Sequence, residues 1–356
     1  MIQPNSFAED HIRQLQRISK RDPILLERAV YAFGLLEALA RVGMPFIFKG
    51  GTCLMLLMER PRRLSTDIDI IVRPGTDLDA FLEKASRIFP FQSVEEQKRV
   101  GKNQIEKRHF KFTYDSPVNH KPLYILLDVL FEENHYAEVI NREIRNELLL
   151  TQPEYLMVQV PSPDCILADK LTAFAPHTTG IPLNVGKDME VMKQFYDVTS
   201  LLDNFSDCGK VRGTYEKIAR AELAYRGIEA MVSDCLMDTF DAALCIAARG
   251  KFCVQEYPLY VKGIRDLCGH IYAENYSPEV AATKAPLVMY MAACLLTGND
   301  YIRVEDPAAF MGEKLTVDKL MPLSYLRKAN PVAYAYAIKT DQIMADQFQW
   351  PTIKNV

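Results

Sequence analysis

Apolar residues recur at helical spacing from 23 to 41 and stop before Gly43, which predicts a long helix. A short strand at 45–49 leads into the glycine pair Gly50-Gly51, with a helix behind it over 53–59. The run Ser65-Thr66-Asp67-Ile68-Asp69-Ile70-Ile71-Val72 is β-branched and apolar, ends at Pro74-Gly75, and reads as a strand. A helix follows over 78–89, then a strand pair within 91–114. Residues 123–131 are so nearly continuous in apolar side chains that they read as a strand buried on both faces. Ser162 as N-cap and Pro163 in the first turn start a helix that stops at Pro176. After a Gly- and Pro-bearing connector at 178–187, a second helix covers 188–203. Beyond 205 the periodicity is helical throughout, over 215–226, 228–249, 253–268, 278–296 and 332–346, with no convincing strand. The expected class is α+β with a mixed sheet. The expected domains are a mixed core at 1–205 and a helical C-terminal domain at 206–356.

Composition supports a large buried core, since 49% of the 356 residues are hydrophobic. No apolar stretch suggests a membrane span, and Met1 to Ser6 lack the regions of a signal peptide, so a cytoplasmic protein is expected. The eight cysteines are scattered with no Cys-x-x-Cys pair; they read as small buried hydrophobes, and neither zinc nor a disulfide framework is expected. His270 and the tyrosines Tyr257, Tyr260, Tyr272 and Tyr276 read as packing or interface residues. A net charge of −4 is not the footprint of a protein that coats nucleic acid. Charge is uneven, however. Lys98, Arg99, Lys102, Lys107, Arg108, His109 and Lys111 crowd one segment, and Arg60, Arg62 and Arg63 precede the first acids. These form either a solvated hairpin face or a basic rim that guides a polyanion.

The candidate chemistry lies between Lys49 and Asp128. A glycine pair lets the backbone approach phosphate oxygens, and amides at a helix start make an anion site. Asp67 and Asp69, two apart on a strand, point the same way. Carboxylates converging beside a phosphate cradle suit Mg²⁺ and a nucleoside triphosphate. Asp128 would be costly to bury ionised without a partner, and a shared metal supplies one; a salt-bridged or strand-end acid is the alternative.

The stretch Phe48-Lys49-Gly50-Gly51-Thr52-Cys53-Leu54, then Arg63-Leu64-Ser65-Thr66-Asp67-Ile68-Asp69-Ile70, resembles the AbiEii/AbiGii toxin branch of the DNA polymerase β-like nucleotidyltransferases. Asp128 stands where that family's third metal-binding acid is expected. Asp164 to Leu171, with Asp169-Lys170, resembles its Asp-Lys helix, and Lys193 to Val198 its following helix. The segment Asp22 to Arg28 is similar to its N-terminal helix. One departure is Gln194, where family members often carry an aspartate; another is Lys193 in place of arginine.

The resemblance implies a polymerase β-like core that moves an NMP from an NTP to an acceptor hydroxyl. Asp67, Asp69 and Asp128 would hold Mg²⁺ or Mn²⁺, and Asp128 would receive the acceptor's proton. Lys49, Gly50, Gly51, Thr52 and Ser65 would bind the nucleotide. Lys170 and Lys193 would neutralise the leaving pyrophosphate, and Asp197 would orient a lysine or contact the nucleotide. It further implies the toxin of a toxin–antitoxin or phage-defence system, with a cognate antitoxin and an RNA acceptor, the tRNA 3′ end leading. The alternatives are a small-molecule or protein acceptor, or a nucleotide-binding regulator without turnover.

Overall fold

The computed structural model describes residues 1–58, 60–97, 106–251, 253–272 and 274–346. Contacts along the chain group it into two compact units, Met1–Ser162 with Gly269–Asn275, and Pro163–Cys268 with Tyr276–Val356. Glu59, Lys98, Arg99 and Lys102 lie outside the described residues.

The first unit holds helices α1 (Glu9–Ser19), α2 (Pro23–Arg41), α3 (Gly50–Leu57) and α4 (Asp79–Ser86). Its strands are β1 (Ile47–Lys49), β2 (Ile68–Val72), β3 (Ser93–Gln97), β4 (Lys107–Asp115), β5 (Pro122–Phe131), β6 (Val139–Glu143) and β7 (Met157–Pro161). They form one mixed sheet in the order β3-β4-β5-β2-β1-β7-β6. The pairs β2/β5 and β1/β7 are parallel and the other neighbours antiparallel. The expected α+β class with a mixed sheet is what the chain adopts. The edge pair β6/β7 and helix α1 were not anticipated.

α2 starts where the sequence placed it. Asp22 accepts from the Leu25 amide at 2.9 Å, and Pro23 takes the first helical position, where a missing N–H costs nothing. The helix is buried along most of its length and carries Glu27 into the core. There Glu27 accepts from Tyr114 Oη (3.0 Å), Ser116 Oγ (2.9 Å) and the Val118 amide (3.2 Å). Burial pushes its carboxyl above the ordinary range, while the Ser116 and Tyr114 bonds pull it back. Tyr31 stacks on Tyr114 with centroids 3.9 Å apart, so α2 is fixed to the sheet by both contacts. Glu27→Ala leaves two buried hydroxyls and one half-buried amide without their acceptor. It is expected to cost about 3 kcal/mol, read as a lower urea midpoint; an unchanged midpoint would contradict this anchoring role.

β5 departs from expectation. Ile125, Leu127, Val129 and Phe131 are buried, but Leu126, Asp128 and Leu130 are half-buried. The strand is therefore open on the face carrying Asp128 rather than closed on both. Its apolar run concealed an alternating pattern because leucines occupy part of the open face.

The second unit is helical, with no strand among its described residues. It comprises α5 (Pro163–Ala173), α6 (Asp188–Leu201), α7 (Cys208–Arg226), α8 (Val232–Ala247), α9 (Tyr257–Leu267), α10 (Pro278–Thr297), α11 (Leu326–Ala329) and α12 (Pro331–Asp346). α5 packs on α7, α6 on α9, and α10 on both α8 and α12. Helices 163–201, expected with the sheet, thus group with the helical unit, and the division falls at Ser162/Pro163 rather than at 205. Asp164 joins this packing by accepting from the Ser206 amide (2.7 Å) and Ser206 Oγ (3.1 Å). Contrary to the sequence reading, α10 is long and apolar enough to cross a membrane by length and composition. Most of it is buried inside the helical unit, as in a core helix.

Candidate active site

Strand register brings the first-unit candidates together. Lys49 on β1 pairs with Asp69 on β2, Asp69 with Asp128 on β5, and Asp128 with His109 on β4. Directly paired residues of neighbouring strands lie on the same face, so these four form one row across the sheet. Asp67 stands one residue before β2, with buried Ile68 between it and Asp69. Both aspartates are half-buried on the open side.

His109 was read from the sequence only as one charge among many. In the structure its Nδ1 lies 2.6 Å from Asp128 Oδ1. No local motif marks it, because the contact arises from the β4/β5 register. β4 also divides its crowded charges between two faces. Arg108 is held by Glu96 and Asp79, each at 2.9 Å, whereas Lys111 shares the His109 face and sits 4.5 Å from the Tyr124 ring centroid. Arg28 of α2 joins the same edge, 3.7 Å from Asp67 Oδ1 and 5.9 Å from the Tyr124 ring. Tyr124 is 39% exposed between these two cations.

The glycine turn is built against the acids. Gly50 opens α3 at φ +79°, and a Cβ there would lie 2.0 Å from Asp69 Oδ2. A Cβ on Gly51 would lie 2.6 Å from Ser65 Oγ and 2.8 Å from Arg63 Nη2. Thr52 is fully buried, and its hydroxyl donates to the Asp67 carbonyl at 2.6 Å. That hydroxyl fixes the backbone of the acid strand, a different task from the nucleotide contact expected of it. Lys49 Nζ lies 5.8 Å from the Tyr136 ring centroid. The segment ahead of the acids is tied down by Leu64 N–H donating to the His270 carbonyl (2.7 Å) and Tyr272 N–H to the Arg62 carbonyl (2.8 Å). Gly50→Ala is expected to cost about 1–2 kcal/mol for a left-handed alanine. Displacing the Asp69 carboxylate by an ångström should also slow transfer by roughly 10²-fold. Melting temperature and transfer rate measured together check both, and an unaltered rate would show that the close approach is dispensable.

Lys170, Lys193 and Asp197 belong to the helical unit. Lys170 on α5 and Asp197 on α6 are both buried and form a 3.0 Å ion pair. Lys170 Nζ also donates to Gln194 Oε1 at 3.0 Å. Gln194 and Asp197, three apart on α6, present both oxygens to one ammonium. The glutamine that departs from the family pattern therefore supplies a neutral acceptor, leaving one carboxylate to balance the buried lysine. Lys193 is half-buried on α6.

The sequence from 35 to 252, more than half of the chain, matches the family described as nucleotidyl transferase AbiEii toxin, type IV toxin–antitoxin system. Among solved structures the chain is similar to JHP933 from Helicobacter pylori. That match has 15% identity and a TM-score of 0.45, and covers 76% of this chain and 93% of the other. It is also similar to an antigenic nucleotidyltransferase-like protein from Paracoccidioides brasiliensis. There the identity is 16% and the TM-score 0.35, covering 58% of this chain and 93% of that one. No curated protein matches the chain.

Proposed function

Because the chain belongs to the AbiEii nucleotidyltransferase toxin family, we propose that it transfers an NMP from an NTP to an RNA hydroxyl, with Asp67, Asp69 and Asp128 at the reacting centre. The observation that carries this reading is the row Lys49-Asp69-Asp128-His109 across β1, β2, β5 and β4. Two carboxylates paired on neighbouring strands, half-open to water and with Asp67 alongside, are a hard-oxygen donor set that fits Mg²⁺ or Mn²⁺. Bound there, the cation would supply neutralising charge to the triphosphate.

The rest follows from the chain's own groups. Gly50, free of a Cβ, lets the amides at the start of α3 approach phosphate oxygens. Thr52 holds the Asp67 carbonyl and so keeps the acid strand beside that turn. Lys49 adds positive charge at the end of β1. His109, with its proton on Nδ1, holds Asp128 Oδ1 and leaves Oδ2 to accept the proton of the acceptor hydroxyl. In the helical unit the resemblance assigns Lys193 to the leaving pyrophosphate. For Lys170 the contacts favour the task of organising α5 and α6 through Asp197.

RNA is favoured as acceptor by the same open face. Tyr124, flanked by Arg28 and Lys111, offers a base-stacking surface with phosphate-binding charge on the side of Asp128. Within RNA, the tRNA 3′ end is the site that the resemblance implies. A cognate antitoxin follows from the type IV system the family is described by. A cytoplasmic location fits an enzyme that consumes NTPs and carries its described cysteines as free thiols.

The test is incubation of the purified protein with total bacterial RNA, Mg²⁺ and each α-labelled NTP in turn, with Asp69→Ala as control. Label in RNA from the wild type alone supports the proposal and identifies the nucleotide. Nucleotide binding without label in RNA redirects the acceptor to a small molecule or protein.

A further inference from the structure

The eight cysteines carry no recognisable ligand spacing, yet the fold gathers two of them beside a carboxylate and a histidine in the helical unit. Asp238 and Cys245 lie seven residues apart on α8, two turns along one face. Arg249 (φ 53°) and Gly250 (φ 77°) then reverse the chain through left-handed conformations. A Cβ on Gly250 would meet Tyr257 Cδ1 at 2.8 Å. The reversal returns Cys253 to Cys245, whose Sγ lies 3.6 Å from the Cys253 carbonyl oxygen. Glu256 follows at the N-cap of α9. Cys245 Sγ, Cys253 Sγ and a Glu256 carboxylate oxygen all lie within 4.8 Å of one another. Tetrahedral zinc, with bonds of roughly 2.3 Å to sulfur and 2.0 Å to oxygen, needs ligand atoms roughly 3.5–3.8 Å apart, so a small contraction suffices.

A supporting layer of contacts surrounds these atoms. His177 Nε2 is 2.8 Å from Glu256 Oε1, and its Nδ1 is 2.7 Å from Asp238 Oδ1. The other Asp238 oxygen accepts from the His177 amide and Thr178 Oγ1, both at 2.8 Å. Chains of this kind, carboxylate to imidazole to ligand, fix the orientation of metal-binding side chains.

We propose that Cys245, Cys253 and Glu256 bind one thiophilic divalent cation of the zinc class, with His177 and Asp238 as positioning residues. Binding converts both thiols to thiolates and releases their two protons to solvent. The sulfur donors separate this site chemically from the all-oxygen acids at 67, 69 and 128, which suit magnesium. The cation would pin the α8–α9 turn to α8, a role independent of nucleotidyl transfer.

The reduced full-length chain titrated with Cd²⁺ should develop thiolate-to-metal charge-transfer absorbance that saturates at one equivalent. Cys253→Ser, at a half-buried position, should abolish that band, and Glu256→Gln should weaken cadmium binding at least tenfold. Asp69→Ala and Cys268→Ser, both outside the cluster, should keep it. If Cys253→Ser fails to fold, Glu256→Gln decides alone. Absence of the band in the wild type, its persistence in Cys253→Ser, or unchanged binding in Glu256→Gln would each overturn the proposal.

Discussion

Asp69→Ala and Asp128→Asn are each expected to lower the rate of nucleotidyl transfer by about 10³-fold, or ~4 kcal/mol of transition-state stabilisation. Neither should lower the melting temperature by more than a few degrees. Asp69 and Asp128 face each other across β2/β5 on a half-open face, so removing one negative charge relieves repulsion between neighbours. Stability that holds or rises while activity collapses is the signature of residues kept for chemistry. Asp128→Asn keeps an oxygen to accept from His109 and tests the carboxylate charge with little change in shape. Rates near wild type in either variant would remove these acids from the reacting centre. A cooperative loss of structure would instead make them architectural.

Asp197→Ala should behave in the opposite way, with a stability loss of about 3–5 kcal/mol. Lys170 and Asp197 are both buried, and removing the carboxylate leaves an ammonium whose remaining acceptor among the described residues is the neutral Gln194. The loss is read as a lower urea midpoint. Replacing both partners, Lys170→Met with Asp197→Leu, should recover most of it, because the desolvation cost disappears with the pair. If Asp197→Ala abolishes transfer at an unchanged midpoint, the catalytic role implied by the family resemblance is the right one. The double variant separates the readings: recovered stability without recovered activity would mean the pair does both.

Much of the sheet unit was legible because its signals are local. α2 has a cap, a proline at its first position and sustained periodicity; β2 has β-branched residues closed by Pro74-Gly75. The Gly50 turn was legible for the same reason, since a short stretch of sequence specifies it. β6 and β7 were not, because Val139–Glu143 ends in Asn, Arg and Glu at the sheet edge, where polar residues are tolerated and periodicity fades. α1 buries few apolar positions, Ile12 and Leu15 among them, too few to stand out. His109 was invisible as a partner of Asp128 because the two meet through register and not through spacing. Lys170 and Asp197 were both singled out, but their mutual pairing depends on how α5 lies on α6. Cys245 and Cys253 read as ordinary buried cysteines, and Glu256 carries no signal of its own, because only the left-handed reversal at Arg249 and Gly250 brings the three together.

The backbone bonds from Leu64 to His270 and from Tyr272 to Arg62 bear on the order in which the chain is made. Residues Gly269–Asn275 complete the sheet unit, although they are translated long after its strands. Domains fold from the N-terminus as they leave the ribosome. Here the segment leading into Asp67 lacks these two bonds until Gly269–Asn275 has been synthesised. A chain aborted earlier would carry the acids without the clasp that holds their approach, so the strand bearing Asp67 and Asp69 would rest on fewer contacts in an incomplete copy.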